Sequence, residues 1–141
     1  MHRRRAALAL VLALGAVPLC PGEGQRASAP RGRKLGILGQ NYPNPFKPDT
    51  FIPFRIEDCN GPGGQRVVSL HVYNVLAQRI ATPVLFGARV PLLNLRLSCG
   101  AYTGYWDGRT MRSTRRAATG VYVYELVVDG QRTARKMFVA K

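Results

Sequence analysis

The side chains able to do chemistry are few: two histidines, three cysteines and seven acidic residues in a chain of 141. His2 lies in an amino-terminal segment of processing type, which leaves His71 by itself. A lone histidine in an alternating stretch is far more often a packing residue than a general base. Without a second base no Ser-His-Asp relay can be assembled, and the Gly-x-Ser-x-Gly elbow is missing. Beyond Glu23, the acidic residues are Asp49, Glu57, Asp58, Asp107, Glu125 and Asp129. Their one adjacent pair, Glu57-Asp58, points to opposite faces of an extended chain and cannot flank a glycosidic bond. No Cys/His cluster has zinc spacing. Asp58-Cys59-Asn60-Gly61 lacks the alternating oxygen ligands and closing Glu of a calcium loop. The expectation is a non-catalytic protein with no metal and no cofactor.

The cysteines point to a compartment. Arg3, Arg4 and Arg5 precede an uncharged apolar run from Ala6 to Val17 that ends at Pro18. A basic n-region followed by a short apolar run is the pattern of a secretory signal peptide, and residues 1–24 are assigned to one. The run is too short to cross a bilayer, which takes about 20 residues, so no transmembrane span is expected once it is removed. Cleavage near Gly22 or Gly24, cleavage after Ala27-Ser28-Ala29, and lipidation of Cys20 all stay open. Cys59 and Cys99 then form an even pair in an oxidising compartment and are expected to be a disulfide.

Charge narrows the partners. Lys+Arg number 21 against the seven acids, a formal charge of +14, and only Lys34, Lys47, Lys136 and Lys141 are lysines. Such a surface suits an anionic polymer or an acidic protein. Export takes intracellular nucleic acid out of reach, so no nucleic acid is expected; a solvated basic surface is the preferred reading, with an anionic surface polysaccharide as the alternative. The densest cationic stretch is Arg109, Arg112, Arg115 and Arg116, read either as a solvated loop or as an anion contact.

These residues have to be positioned by a strand-rich domain. Gly 15 and Pro 10 make turns frequent, and 46% hydrophobic residues are enough for a core. Residues 25–38 read as a flexible basic linker and 39–141 as one domain. Thr50–Ile56 reads as a strand, placed at a sheet edge by Pro53. In Arg66–Tyr73, Val68, Leu70 and Val72 oppose Ser69, His71 and Tyr73. Gln78–Phe86, a Leu93/Leu95/Leu97 alternation, and Tyr102–Trp106 supply further strands. Gly120–Val128 and a strand from Gln131 are joined by Asp129-Gly130, a type I′ hairpin signal. The fold expected is all-β, an immunoglobulin-like sandwich of about seven strands. Trp106 is assigned to its core, and Tyr42 and Phe46 to apolar anchors beside an extended, polyproline-like run at Pro43, Pro45 and Pro48.

One further pattern runs through the domain. Asn41-Tyr42-Pro43-Asn44-Pro45-Phe46-Lys47-Pro48-Asp49-Thr50 resembles the opening motif Asn-Tyr-Pro-Asn-Pro-Phe-Asn-Pro-x-Thr of the carboxy-terminal sorting domains of type IX secretion. The immunoglobulin-like domain of the flagellar hook-capping protein is related to that family. Tyr73-Asn74-Val75-Leu76-Ala77-Gln78 is similar to its Tyr-Asn-x-Leu-Gly-Gln, with Ala77 where the family has Gly. Trp106-Asp107-Gly108, Gly120-Val121-Tyr122 and Lys136-Met137 complete the resemblance in order. It implies a sandwich that serves as a sorting signal, read by outer-membrane secretion machinery, with passage through the periplasm to the cell surface or medium. A sorting domain trails a cargo domain, whereas here only the linker precedes the module. The alternative expectation is therefore a free-standing exported binding module that uses its basic face.

Overall fold

The computed structural model describes residues 15–16, 32–60 and 63–141. The proposed signal peptide, its cleavage sites and Cys20 lie outside the described residues. From Gly32 onward the chain is a β-sandwich of two antiparallel sheets. Nine strands build it, some very short: β1 (Gly36–Leu38), β2 (Thr50–Ile56), β3 (Gln65–Tyr73), β4 (Arg79–Ala81), β5 (Val84–Leu85), β6 (Leu95–Ser98), β7 (Gly100–Trp106), β8 (Gly120–Val128) and β9 (Gln131–Val139). One sheet runs β1-β2-β7-β5; the other runs β4-β3-β8-β9, with β6 also paired to β3. Linker and domain meet earlier than composition suggests, because Gly36–Leu38 already pair with β2 and Leu38 is buried.

Two-residue periodicity sets the core. Ile52, Phe54 and Ile56 of β2, Val68, Leu70 and Val72 of β3, and Tyr124, Leu126 and Val128 of β8 all point between the sheets and are buried. The β8–β9 hairpin turns through Asp129 (φ 45°) and Gly130 (φ 83°), the two positive dihedrals that a type I′ turn needs. Asp129 also accepts the backbone N–H of Val67 at 2.8 Å and pairs with Arg66 at 2.9 Å. Both contacts favour the carboxylate and hold its pKa below the ordinary range, the backbone bond most.

Three of the expected strands are corrected. Pro53 does not mark an edge, since β2 lies inside its sheet between β1 and β7. Its missing donor faces β1. Gly39 donates to the Pro53 carbonyl at 2.8 Å, and the Gly39 carbonyl, with no proline N–H to accept from, takes the Tyr124 hydroxyl at 2.7 Å. The Tyr124 hydroxyl in turn accepts the Asn41 backbone N–H at 3.0 Å, so the gap is closed on both sides.

Second, Gln78–Phe86 is not one strand. It breaks at Thr82-Pro83, leaving β4 in one sheet and β5 in the other. Third, the leucine alternation fails: Leu92 is fully buried and Leu93 is 49% exposed. The Leu92 carbonyl accepts from Leu70 and its N–H donates to Pro83, so a loop residue fills the core ahead of β6.

Cys59 and Cys99 form a disulfide, with Cα atoms 5.7 Å apart. The bond ties the segment after β2 to the corner where the chain leaves β6 in one sheet for β7 in the other.

Candidate functional site

The separated motifs of the sequence gather at one pole of the sandwich, as strand pairing requires. Thr50 opens β2 opposite Trp106 at the end of β7. Tyr73 closes β3 opposite Val123 near the start of β8. Tyr122 faces Met137 on β9, and Phe46 forms a parallel bridge with Val139.

The segment 41–48 is the clasp of this pole. Asn41, 2% exposed, donates through Nδ2 to Thr50 Oγ1 at 3.0 Å and to the Pro43 carbonyl at 3.2 Å. The Thr50 hydroxyl donates to the same carbonyl at 3.1 Å. Gln40 Nε2 donates to Asn41 Oδ1 at 2.7 Å and to the Lys136 carbonyl at 3.2 Å. Asn44 Oδ1 accepts the Phe138 N–H, the Phe46 N–H donates to the Phe138 carbonyl, and Ala140 donates to Phe46, each at 2.9 Å. The segment bends at Pro43–Pro45 and again at Lys47–Pro48, with cis bonds before Pro43, Pro45 and Pro48, in place of the extended polyproline-like run expected.

The aromatic centre is continuous. Phe46, 1% exposed, meets Trp106 edge-on at 5.3 Å, and Trp106 meets Tyr122 at 6.2 Å. Trp106 is 3% exposed, and its Nε1 donates to the Arg109 carbonyl at 2.9 Å. The Tyr122 hydroxyl donates to the Ala118 carbonyl at 2.8 Å, and burial raises its pKa. Met137 is fully buried, whereas Lys136 and Val121 are exposed. Gly108 adopts φ 77°, and a Cβ there would lie 2.4 Å from the Pro48 carbonyl oxygen. Only glycine lets the Trp-Asp-Gly turn pass beneath the clasp. Gly120 opens β8 on the same pole.

Tyr42 corrects its assignment. It is 52% exposed and stacks on Phe51 at 5.5 Å, outside the core that Phe46 enters.

The turn after β3 rests on Asn74, whose Oδ1 accepts the N–H groups of Leu76 and Gln78, both at 3.0 Å. Ala77 then sits at φ 58°, a left-handed conformation that an L side chain adopts at a cost of about 1–2 kcal/mol and glycine adopts freely. Ala77→Gly is therefore expected to stabilise the fold by about 1 kcal/mol. A denaturant midpoint at or below that of the native chain would contradict this.

The arginine loop divides in two. Arg109 donates to the Thr114 carbonyl at 2.7 Å and lies 3.8 Å from Asp107, while Arg116 donates to the carbonyls of Pro48 and Asp107 at 3.2 and 3.0 Å. Arg109 closes the hairpin on itself, and Arg116 braces it against the clasp. Arg112 and Arg115 are exposed, and neither side chain has a hydrogen bond or ion pair among the described residues. The anion-contact reading narrows to that pair.

His71 lies on β3, 8% exposed, facing Glu125 across the ladder. Burial, with Arg79 nearby, lowers its pKa, and its Nδ1 is buried without a partner. Glu125 is engaged instead by Arg132 at 2.8 Å and by the Tyr73 hydroxyl at 3.5 Å. Among the described residues no three His, Cys, Asp or Glu side chains are grouped to hold a metal ion. No helix among them is long and apolar enough to cross a membrane.

Sequence reasoning missed the half-buried, outward-facing aromatics Phe51 and Tyr105. The signal was present: with Ile52, Phe54 and Ile56 pointing inward, period two turns Phe51 outward, and the Asp107-Gly108 turn sets the register that does the same for Tyr105. The chain matches no protein-family model, no curated protein and no solved structure.

Proposed function

We propose that residues 39–141 act as a folded sorting tag of the type IX secretion kind. On this reading the chain has no catalytic activity. It is exported through the periplasm to the cell surface or medium, where outer-membrane machinery recognises a surface of the sandwich. One observation supports it above the rest: residues of the resembling motifs, far apart in sequence, meet in a single cluster that clasps β9. The cluster is largely buried, so its part on this reading is to hold β9 and the pole in the one shape a partner reads.

The clasp also defines what remains open on β9. Phe138 turns its backbone groups toward Asn44 and Phe46, so by alternation Lys136, Ala134 and Arg132 also present theirs at the sheet edge. Gln40 already takes the Lys136 carbonyl, so the stretch from Arg132 to Ala134 is the part a partner strand can pair with.

The test fuses a signal peptide and a fluorescent passenger ahead of Gly32, which keeps β1 intact, in a host with type IX secretion. Delivery to the surface or medium is expected. Ala134→Pro removes one outward N–H without touching the β8 ladder, so it should fold and lose delivery. Retention of the intact fusion in the periplasm would overturn the reading and leave a free-standing binding module in its place.

A further inference from the structure

The outer face of the β2-β7-β5 sheet carries an aromatic run that the core does not need. Phe51 is its centre: Tyr42 lies at 5.5 Å, Phe86 at 5.2 Å and Tyr105 at 5.5 Å from it. Phe86 is 61% exposed. Two clefts flank Tyr105. One, about 630 Å³, is lined by Val84, Leu85, Phe86, Gly87, Arg89 and Tyr105. The other, about 240 Å³, runs from Thr82 and Val84 past Tyr105 to Asp107, Arg109 and Thr110. They share Val84 and Tyr105, so they form one furrow from the aromatic run to the foot of the arginine loop.

The chemistry along the furrow is mixed in a particular way. Apolar ring surface lies at one end, and at the other the lining reaches Thr110 and Met111 of the hairpin that carries the exposed Arg112 and Arg115. Between them the Tyr105 hydroxyl donates to Asp49 Oδ2 at 2.8 Å, with Asp107 and Thr110 alongside. The Asp49 bond, more than burial, raises the Tyr105 pKa and keeps its hydroxyl a donor. Aromatic surface takes the apolar face of a sugar ring, carboxylate and threonine oxygens take its hydroxyl protons, and arginines take its acidic substituents. A nucleic-acid backbone would instead set phosphates against Asp49 and Asp107.

We propose that this furrow binds an acidic polysaccharide, with sugar rings on Phe51, Phe86 and Tyr105 and carboxylates reaching Arg112 and Arg115. The site stands apart from the sorting reading, since it needs no secretion machinery to be observed.

The experiment measures binding of polygalacturonate to the purified full chain by calorimetry across a salt series, beside fully methyl-esterified polygalacturonate and a single-stranded oligothymidylate. Polygalacturonate should bind, weaken as salt rises, and exceed both comparators. Phe86→Ala and the double variant Arg112→Gln/Arg115→Gln should each weaken it about tenfold. Only the double variant should flatten the salt dependence. Phe86→Leu keeps the bulk without the ring face and should behave as Phe86→Ala does. Native-like binding by both Phe86 variants, tighter binding of the oligothymidylate, or no binding of polygalacturonate would each overturn the proposal.

Discussion

Replacing Trp106 by Ala is expected to destabilise the fold by about 3–5 kcal/mol, the range for truncating a large buried aromatic. Three losses combine. The indole is 3% exposed, so its removal leaves a cavity at the pole. Phe46 and Tyr122 lose the ring between them. The Arg109 carbonyl loses its donor, which removes one of the bonds that hold the hairpin carrying the basic loop. Trp106→Phe keeps part of the packing and abandons the hydrogen bond, so it should fall between the two. Chemical denaturation of the three proteins checks the order, and an unchanged midpoint for Trp106→Ala would contradict the burial.

The second large effect concerns Cys59–Cys99. The bridge joins residues 40 apart in sequence, and closing a loop of that size removes about 4 kcal/mol of unfolded-state entropy in the chain model. A Cys59→Ser/Cys99→Ser variant should lose about that much stability. Reduction of the native protein should lower its midpoint by a similar amount while leaving the variant unaffected. Mass spectrometry under non-reducing conditions should find no free thiol at either position. Equal stability of native and variant chains would show that the loop is already restrained without the bond.

What the sequence made legible was local. Asp129-Gly130 announced its turn because type I′ geometry depends on two residues and nothing else. The core faces of β2, β3 and β8 followed from period two. The disulfide followed from an even cysteine pair and an inferred compartment. What stayed hidden depended on distant partners. Gln78–Phe86 reads as one strand, and nothing near Thr82-Pro83 says that the chain changes sheet there. Leu92 and Leu93 are chemically equal, and only the position of Leu70 and Pro83 decides which is buried. Tyr42 and Phe46 look like matching anchors, but Phe46 faces Trp106 across the pole while Tyr42 lies over Phe51. The candidate site divided in the same way. Its motifs were visible one by one, their meeting at one pole came from strand register, and the furrow beside Tyr105 came from the packing of β5 against β7.

The exchange at Pro53 reaches further than one hydrogen bond. A proline in an inner strand and a tyrosine on the opposite sheet are usually judged as separate choices, one a defect and the other a core residue. Here the hydroxyl of Tyr124 occupies the place of an amide proton that Pro53 cannot have, so the two positions are mutually conditional. A residue with an N–H at 53 makes the phenol redundant at the Gly39 carbonyl, so Phe at 124 then strands the Asn41 amide alone. With Pro53 in place, the same Phe strands that carbonyl and the Asn41 amide together. Loss of the Tyr124 hydroxyl should therefore cost more with Pro53 in place than with a residue at 53 that has its own N–H.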